Sequence, residues 1–185
     1  MRIKNRWNKR AKQKTLEEIA GALGFICWQI SANGVLEIEN QGYITDSNDH
    51  RLYIMAEFLA FLLQISDRLT YSQFTPEERQ RFIPSLASHM ANSFSDNKYD
   101  LLGEGEHRRE FIDLLNVRAT DYAEFEFNVE TQEPSFPFLR YLGERVADVL
   151  AGQQWVSEYM IDIGGHEAVG SLAASVKNLL ARGWV

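Results

Sequence analysis

The chain has 185 residues, 45% apolar and 24% charged, the size and balance of one globular domain able to bury a sizeable core. Its single cysteine, Cys27, excludes an internal disulfide, and with no CxxC or His/Cys cluster the composition fits a reducing compartment. The formal net charge of −7 is divided unevenly, with a basic start on an acidic body.

That start, residues 1–14, carries Arg2, Lys4, Arg6, Lys9, Arg10, Lys12 and Lys14 and no acid, leaving 12 basic against 26 acidic residues in the remainder, a net of −14. Such an arm suits phosphates, on nucleic acid or on an anionic membrane surface, and it equally suits the chain's own acidic body. Ile3, Trp7 and Ala11 recur every four residues, as on one edge of a short helix. The arm precedes the apolar IAGALGFICWQI as a signal peptide's basic region would. However, Glu17 and Glu18 intervene and no A-x-A site follows. The longest nearly unbroken apolar run, Leu52 to Ile65, is interrupted by Glu57 and is too short to span a bilayer. The expectation is a cytoplasmic chain with no membrane span.

Thr15 and Glu18 form a capping box, and an apolar-periodic segment follows to about Ala32, with Asn33-Gly34 as its stop. Next, Leu36 and Ile38 alternate with Glu37 and Glu39, which predicts a small β-hairpin near 35–45. A helix is predicted from about Asp49 to Gln73, apolar round most of its circumference, with a narrow polar stripe of Glu57, Gln64 and Arg68. Thr75-Pro76-Glu77-Glu78 starts another helix, and Pro84 predicts a break near Ile83 before Leu86, Met90 and Phe94. GEGE at 103–106 marks a junction, and Phe111, Leu114, Leu115, Tyr122 and Phe125 define the next helix. The prolines near 130–137 predict an internal linker. Beyond it come a helix to about Leu150, one around Trp155 to Ile163, a sharp break at Gly164-Gly165, and a last helix through Val169, Leu172, Val176 and Leu180. The predicted fold is all-α: six to eight helices in one bundle-like or orthogonal domain over 15–185, preceded by the arm.

Residues 15–34, TLEEIAGALGFICWQISANG, allow two readings. Ala20, the turn at Gly24, and the apolar Phe25 and Ile30 fall at helix-turn-helix positions. With the arm before and the hairpin after, the order resembles a winged helix-turn-helix over residues 15–45, which implies a nucleic-acid-binding regulator. The residue chemistry opposes it. The would-be recognition helix FICWQISAN offers no Arg or Lys to base edges, and the would-be wing carries Glu37 and Glu39. A single helix explains more. Leu16, Ile19, Ala20, Leu23, Ile26, Cys27 and Ile30 form one apolar stripe, while Gly21, Gly24, Phe25 and Trp28 share a second face where another helix can pack closely.

Enzyme chemistry finds little support. One Glu-x-x-His, Glu104 to His107, has no second copy of the kind a di-iron bundle needs, and His50, His89 and His166 stand singly. No phosphate loop, nucleophile elbow or HExxH is present. The stripe of Glu57, Gln64 and Arg68 is a candidate pocket lining, and Cys27 sits where a thiol is buried and inert. No catalytic residue, metal ligand or cofactor is assigned. The expectation is a non-catalytic interaction protein (adaptor, regulator or assembly factor) that self-associates. Its contact face would be Gly21, Phe25 and Trp28, with the basic arm as an electrostatic contact. The rivals are a nucleic-acid-binding regulator and a metal-dependent bundle enzyme.

Overall fold

A computed structural model describes residues 14–151, 153, 155–181, 183 and 184. Helix α1 (Leu16–Asn40) opens with the expected capping box: Glu18 N–H donates to Thr15 Oγ1 at 3.2 Å, and Thr15 N–H to Glu18 Oε2 at 2.9 Å. It runs straight through Asn33-Gly34. Gly34 is a packing residue there, since a Cβ on it would lie 2.6 Å from the Phe58 ring. The hairpin expected at 35–45 is therefore absent. Val35 and Ile38 point into the core at helical spacing, and Leu36 and Glu37 point outward. The stop comes at Gln41-Gly42. Gly42 takes φ 92°, its N–H donates to Glu39 O at 2.9 Å, and Tyr43 N–H reaches back to Ile38 O at 3.3 Å, a Schellman motif.

Helix α2 (Asn48–Thr70) is capped by Ser47, whose hydroxyl accepts from His50 N–H at 3.1 Å. From Ile54 to Leu63 every residue is buried, and α2 touches α1 and four later helices. It is the central rod. Helix α3 (Pro76–Leu102) starts with a second capping box, Thr75 with Glu78, and Pro76 in its first turn. It passes unbroken through Pro84. That proline is exposed, so water can serve the carbonyl it leaves without a donor, while buried Phe82 and Leu86 hold the helix on either side.

Helix α4 (His107–Ala123) leads into a two-stranded antiparallel ribbon, β1 (Phe127–Asn128) and β2 (Glu133–Pro134). Its turn is an Asx turn. Asn128 Oδ1 accepts from the backbone N–H of Glu130 and Thr131 at 2.9 and 3.1 Å, and Gln132 takes φ 59°. The proline-rich stretch is thus an ordered hairpin end, with Pro134 in β2 and Pro137 in the first turn of α5 (Phe136–Val149). Helices α6 (Trp155–Tyr159) and α7 (Gly165–Leu180) are joined by a π-helical turn, Met160–Gly164, instead of the expected break. Gly165 is buried there, and a Cβ on it would lie 2.6 Å from Leu139 of α5.

Among the described residues, counting α6, the π turn and α7 as one rod, six helices share a contiguous apolar core. Phe61, Tyr122, Phe125, Phe138 and Tyr141 form an aromatic cluster where α2, α4 and α5 meet, with Tyr122 and Phe138 stacked at 4.7 Å. Trp184 packs on Phe74 and donates to Glu78 at 2.8 Å, and it pairs with Lys14 in a parallel bridge.

Candidate functional site

Residues 15–34 belong to one continuous helix, so the turn and separate recognition helix of a winged helix-turn-helix are absent from that segment. Helix α1 packs against α2, α3 and α7. The glycine side of its second face is filled by the chain itself. A Cβ on Gly21 would meet the His89 ring of α3 at 3.2 Å, and one on Gly24 would meet His89 Cβ at 3.0 Å. Trp28 is half-buried and packed on the core, whereas Phe25 stands 62% exposed. The structure groups Phe25 with Leu36, which is 54% exposed, with Gln29 and Ala32 between them and Ala22 just before them along the outer edge of α1. Eleven residues separate Phe25 and Leu36, about 16 Å of rise and about 20° of rotation, so both side chains lie on the same side of the helix. From Ile19 to Leu36 the helix carries no charge. By length and composition alone α1 is also apolar enough to cross a membrane, but 39% of its most apolar stretch is buried against the rest of the fold.

The stripe of Glu57, Gln64 and Arg68 does not line one pocket. Glu57 is buried inside the core and receives two hydrogen bonds from Arg118 of α4, Nε at 2.7 Å and Nη2 at 2.6 Å. This fork-on-carboxylate geometry holds the guanidinium above its ordinary pKa, chiefly through the Glu57 hydrogen bonds. Arg118 Nη1 also lies 3.4 Å from the Tyr141 hydroxyl, which donates in turn to Asp121. Burial first, and then the Asp121 contact, push the Tyr141 phenol up to about 12. Gln64 faces a separate surface hollow beside Asp67, Arg79 and Pro84. Arg68 lines a larger cleft between the C-terminal ends of α2 and α4 and the β1–β2 ribbon.

His50, His89 and His107 serve packing and capping. His107 Nε2 meets Gly103 O at 2.9 Å, while Glu104 is exposed. His50 Nε2 hydrogen-bonds to Val149 O and ties α2 to the end of α5. His166 is exposed on α7. Among the described residues no three His, Cys, Asp or Glu side chains converge as metal ligands would. Cys27 is fully buried, and its thiol is pushed up to about 12, principally by burial. Of the basic arm, Lys14 lies in the bridge to Trp184, and Arg2, Lys4, Arg6, Lys9, Arg10 and Lys12 lie outside the described residues.

Sequence reading missed the Glu57–Arg118 pair, whose members stand 61 positions apart. Its one available signal is an acid in the middle of the most apolar helix. Comparison of the chain with known protein families, with characterised proteins and with solved structures returns no match.

Proposed function

We propose that this chain is a non-catalytic interaction protein that pairs with a second copy of itself through the outer face of α1. The observation that carries this reading is the uncharged stripe holding Phe25 and Leu36, each more than half exposed. Large apolar side chains exposed together mark contact surfaces, and a two-fold interface must be complementary to itself. The stripe meets that demand. In an antiparallel pairing centred between Ile30 and Ser31, Phe25 of each copy lies against Leu36 of the other. Ala32 leaves room at the centre, the two Gln29 amides can bond across the axis, and no like charges are opposed.

Sedimentation velocity across a wide concentration range tests the proposal. Wild-type protein is expected to dimerise. Phe25→Glu and Leu36→Glu are expected to remain monomeric with unchanged melting temperatures, because neither side chain contributes to the core. A monomer at all concentrations overturns the reading, and so does loss of folding in both variants. Flotation with anionic vesicles by a monomeric protein, abolished by the same substitutions, transfers the face to a membrane surface instead.

A further inference from the structure

The cleft beside Arg68 shares no residue with the outer face of α1 and has the makings of a ligand site. It encloses about 890 Å³, within the range of small-molecule sites. Its walls come from Tyr71 at the end of α2, Phe125 after α4, and Phe127, Val129 and Pro134 of the ribbon. The Asx turn and the Phe127–Pro134 pairing fix the ribbon wall.

Two polar groups in this largely apolar cleft lack partners. Arg68 Nε is buried with no acceptor, and Nη2 reaches only the Tyr122 carbonyl, at 3.5 Å. Several other buried or part-buried cations are paired with carboxylates: Arg79 with Asp67, Lys98 with Glu110, Arg118 with Glu57, and Arg145 with Asp148. Arg68 makes no ion pair with any described residue. Ser135 Oγ is likewise buried without a partner, at the start of α5, where it makes no capping bond. Buried polar groups left unmade are costly, and two belonging to residues that line the same cleft point to a ligand that supplies the missing partner.

We infer that this cleft binds a small monocarboxylate with an apolar, aromatic body, its carboxylate on Arg68 and Ser135 and its ring among Tyr71, Phe125 and Phe127. A planar carboxylate matches the guanidinium fork and leaves a lone pair for the serine hydroxyl. A phosphate dianion fits less well. Among the described residues of the lining Arg68 is the single cation, and Glu124, Glu126 and Glu133 also border the cleft. One negative charge is balanced by Arg68, and a second would face three carboxylates.

The experiment is a titration of the ¹⁵N-labelled full chain with phenylacetate, phenylacetamide and phenyl phosphate, followed by amide shifts. Phenylacetate is expected to move resonances at 68–71 and 125–135, and the isosteric amide and the phosphate ester to bind at least about tenfold more weakly. Arg68→Gln should erase the preference for the carboxylate over the amide, and Ser135→Ala should weaken phenylacetate binding. Val129→Asp, at a position 62% exposed, should weaken binding without touching the fold, and it decides the matter if Arg68→Gln lowers the melting temperature. No saturable shifts in the cleft with phenylacetate at millimolar concentration, equal binding of acid and amide, or undiminished binding in Val129→Asp and Arg68→Gln overturns the inference. Preferential binding of phenyl phosphate overturns its choice of a monocarboxylate.

Discussion

Removing Arg118 tests whether the Glu57–Arg118 pair holds α4 to the central helix. The Glu57 side chain is 4% exposed and that of Arg118 17% exposed, so water cannot replace a lost partner. Arg118→Met keeps the aliphatic bulk of the side chain but strands a carboxylate amid the core. A broken buried pair of this kind costs about 3–5 kcal/mol. For a domain of this size each kcal/mol moves the melting temperature by about 2–4 °C, so the fall should be of the order of 10 °C. Glu57→Leu combined with Arg118→Met removes the charge and its partner together, and buried pairs replaced by apolar residues are often neutral in stability. The double variant should therefore recover most of the loss. Thermal and urea melts of the two single variants and the double variant give the coupling energy. If Arg118→Met costs under about 1 kcal/mol, or the double variant is no more stable than Arg118→Met, the pair does not hold the helices as described.

Gly34→Ala should destabilise by about 1–3 kcal/mol despite the better helix propensity of alanine, because its methyl group would intrude on Phe58 at 2.6 Å. Gly170→Ala, on α7 with nothing within 4 Å, should stabilise by about 0.5–1 kcal/mol, and urea melts of both will show whether the signs are opposite. The buried Cys27 thiol, at about 12, should resist a thiol reagent at pH 8 until urea unfolds the chain; rapid labelling of native protein would contradict its burial. Because its folded value lies above the unfolded one, stability should also decline from about pH 8.5 upward toward 12. Between α3 and α4, burial opposes the charges of Lys98 and Glu110, but their mutual hydrogen bonds and those with Tyr53 outweigh it, raising the lysine and lowering the carboxylate. The Glu110 share of stability is thus present above its unfolded value of about 4.3 and lost as pH falls through the folded value, so Glu110→Gln should flatten the acid limb of melting temperature against pH.

Local signals in the sequence proved readable where local chemistry decides the outcome. The boxes at Thr15 and Thr75 both involve hydrogen bonds within three residues, and each is present. Stops and breaks were misread where tertiary packing overrides local preference. Gly34 and Gly165 look like helix terminators, yet each is small because another helix lies against it. The alternation of Leu36 and Ile38 was too short to distinguish a strand from the last turns of a helix, and the Gly42 signal decided the end. Pro84 suggested a break because sequence does not show which carbonyl faces water. Neither the Glu57–Arg118 pair nor the unpartnered state of Arg68 is visible in one dimension, since both depend on how α4 and the ribbon fold back over α2.

The bridge between Lys14 and Trp184 closes the described chain into a ring. Glu78 reinforces the closure, because the carboxylate that caps α3 also accepts the Trp184 indole. In a ring the position of the opening is a matter of connectivity and not of packing. The exposed Gly103–Glu106 segment between α3 and α4 is a natural place for a new opening. A permuted chain that starts at His107, passes through a short linker from Trp184 to Lys14 and finishes at Leu102 keeps every helix intact. It would carry α3 and α4, which are neighbours now, at opposite ends of its sequence.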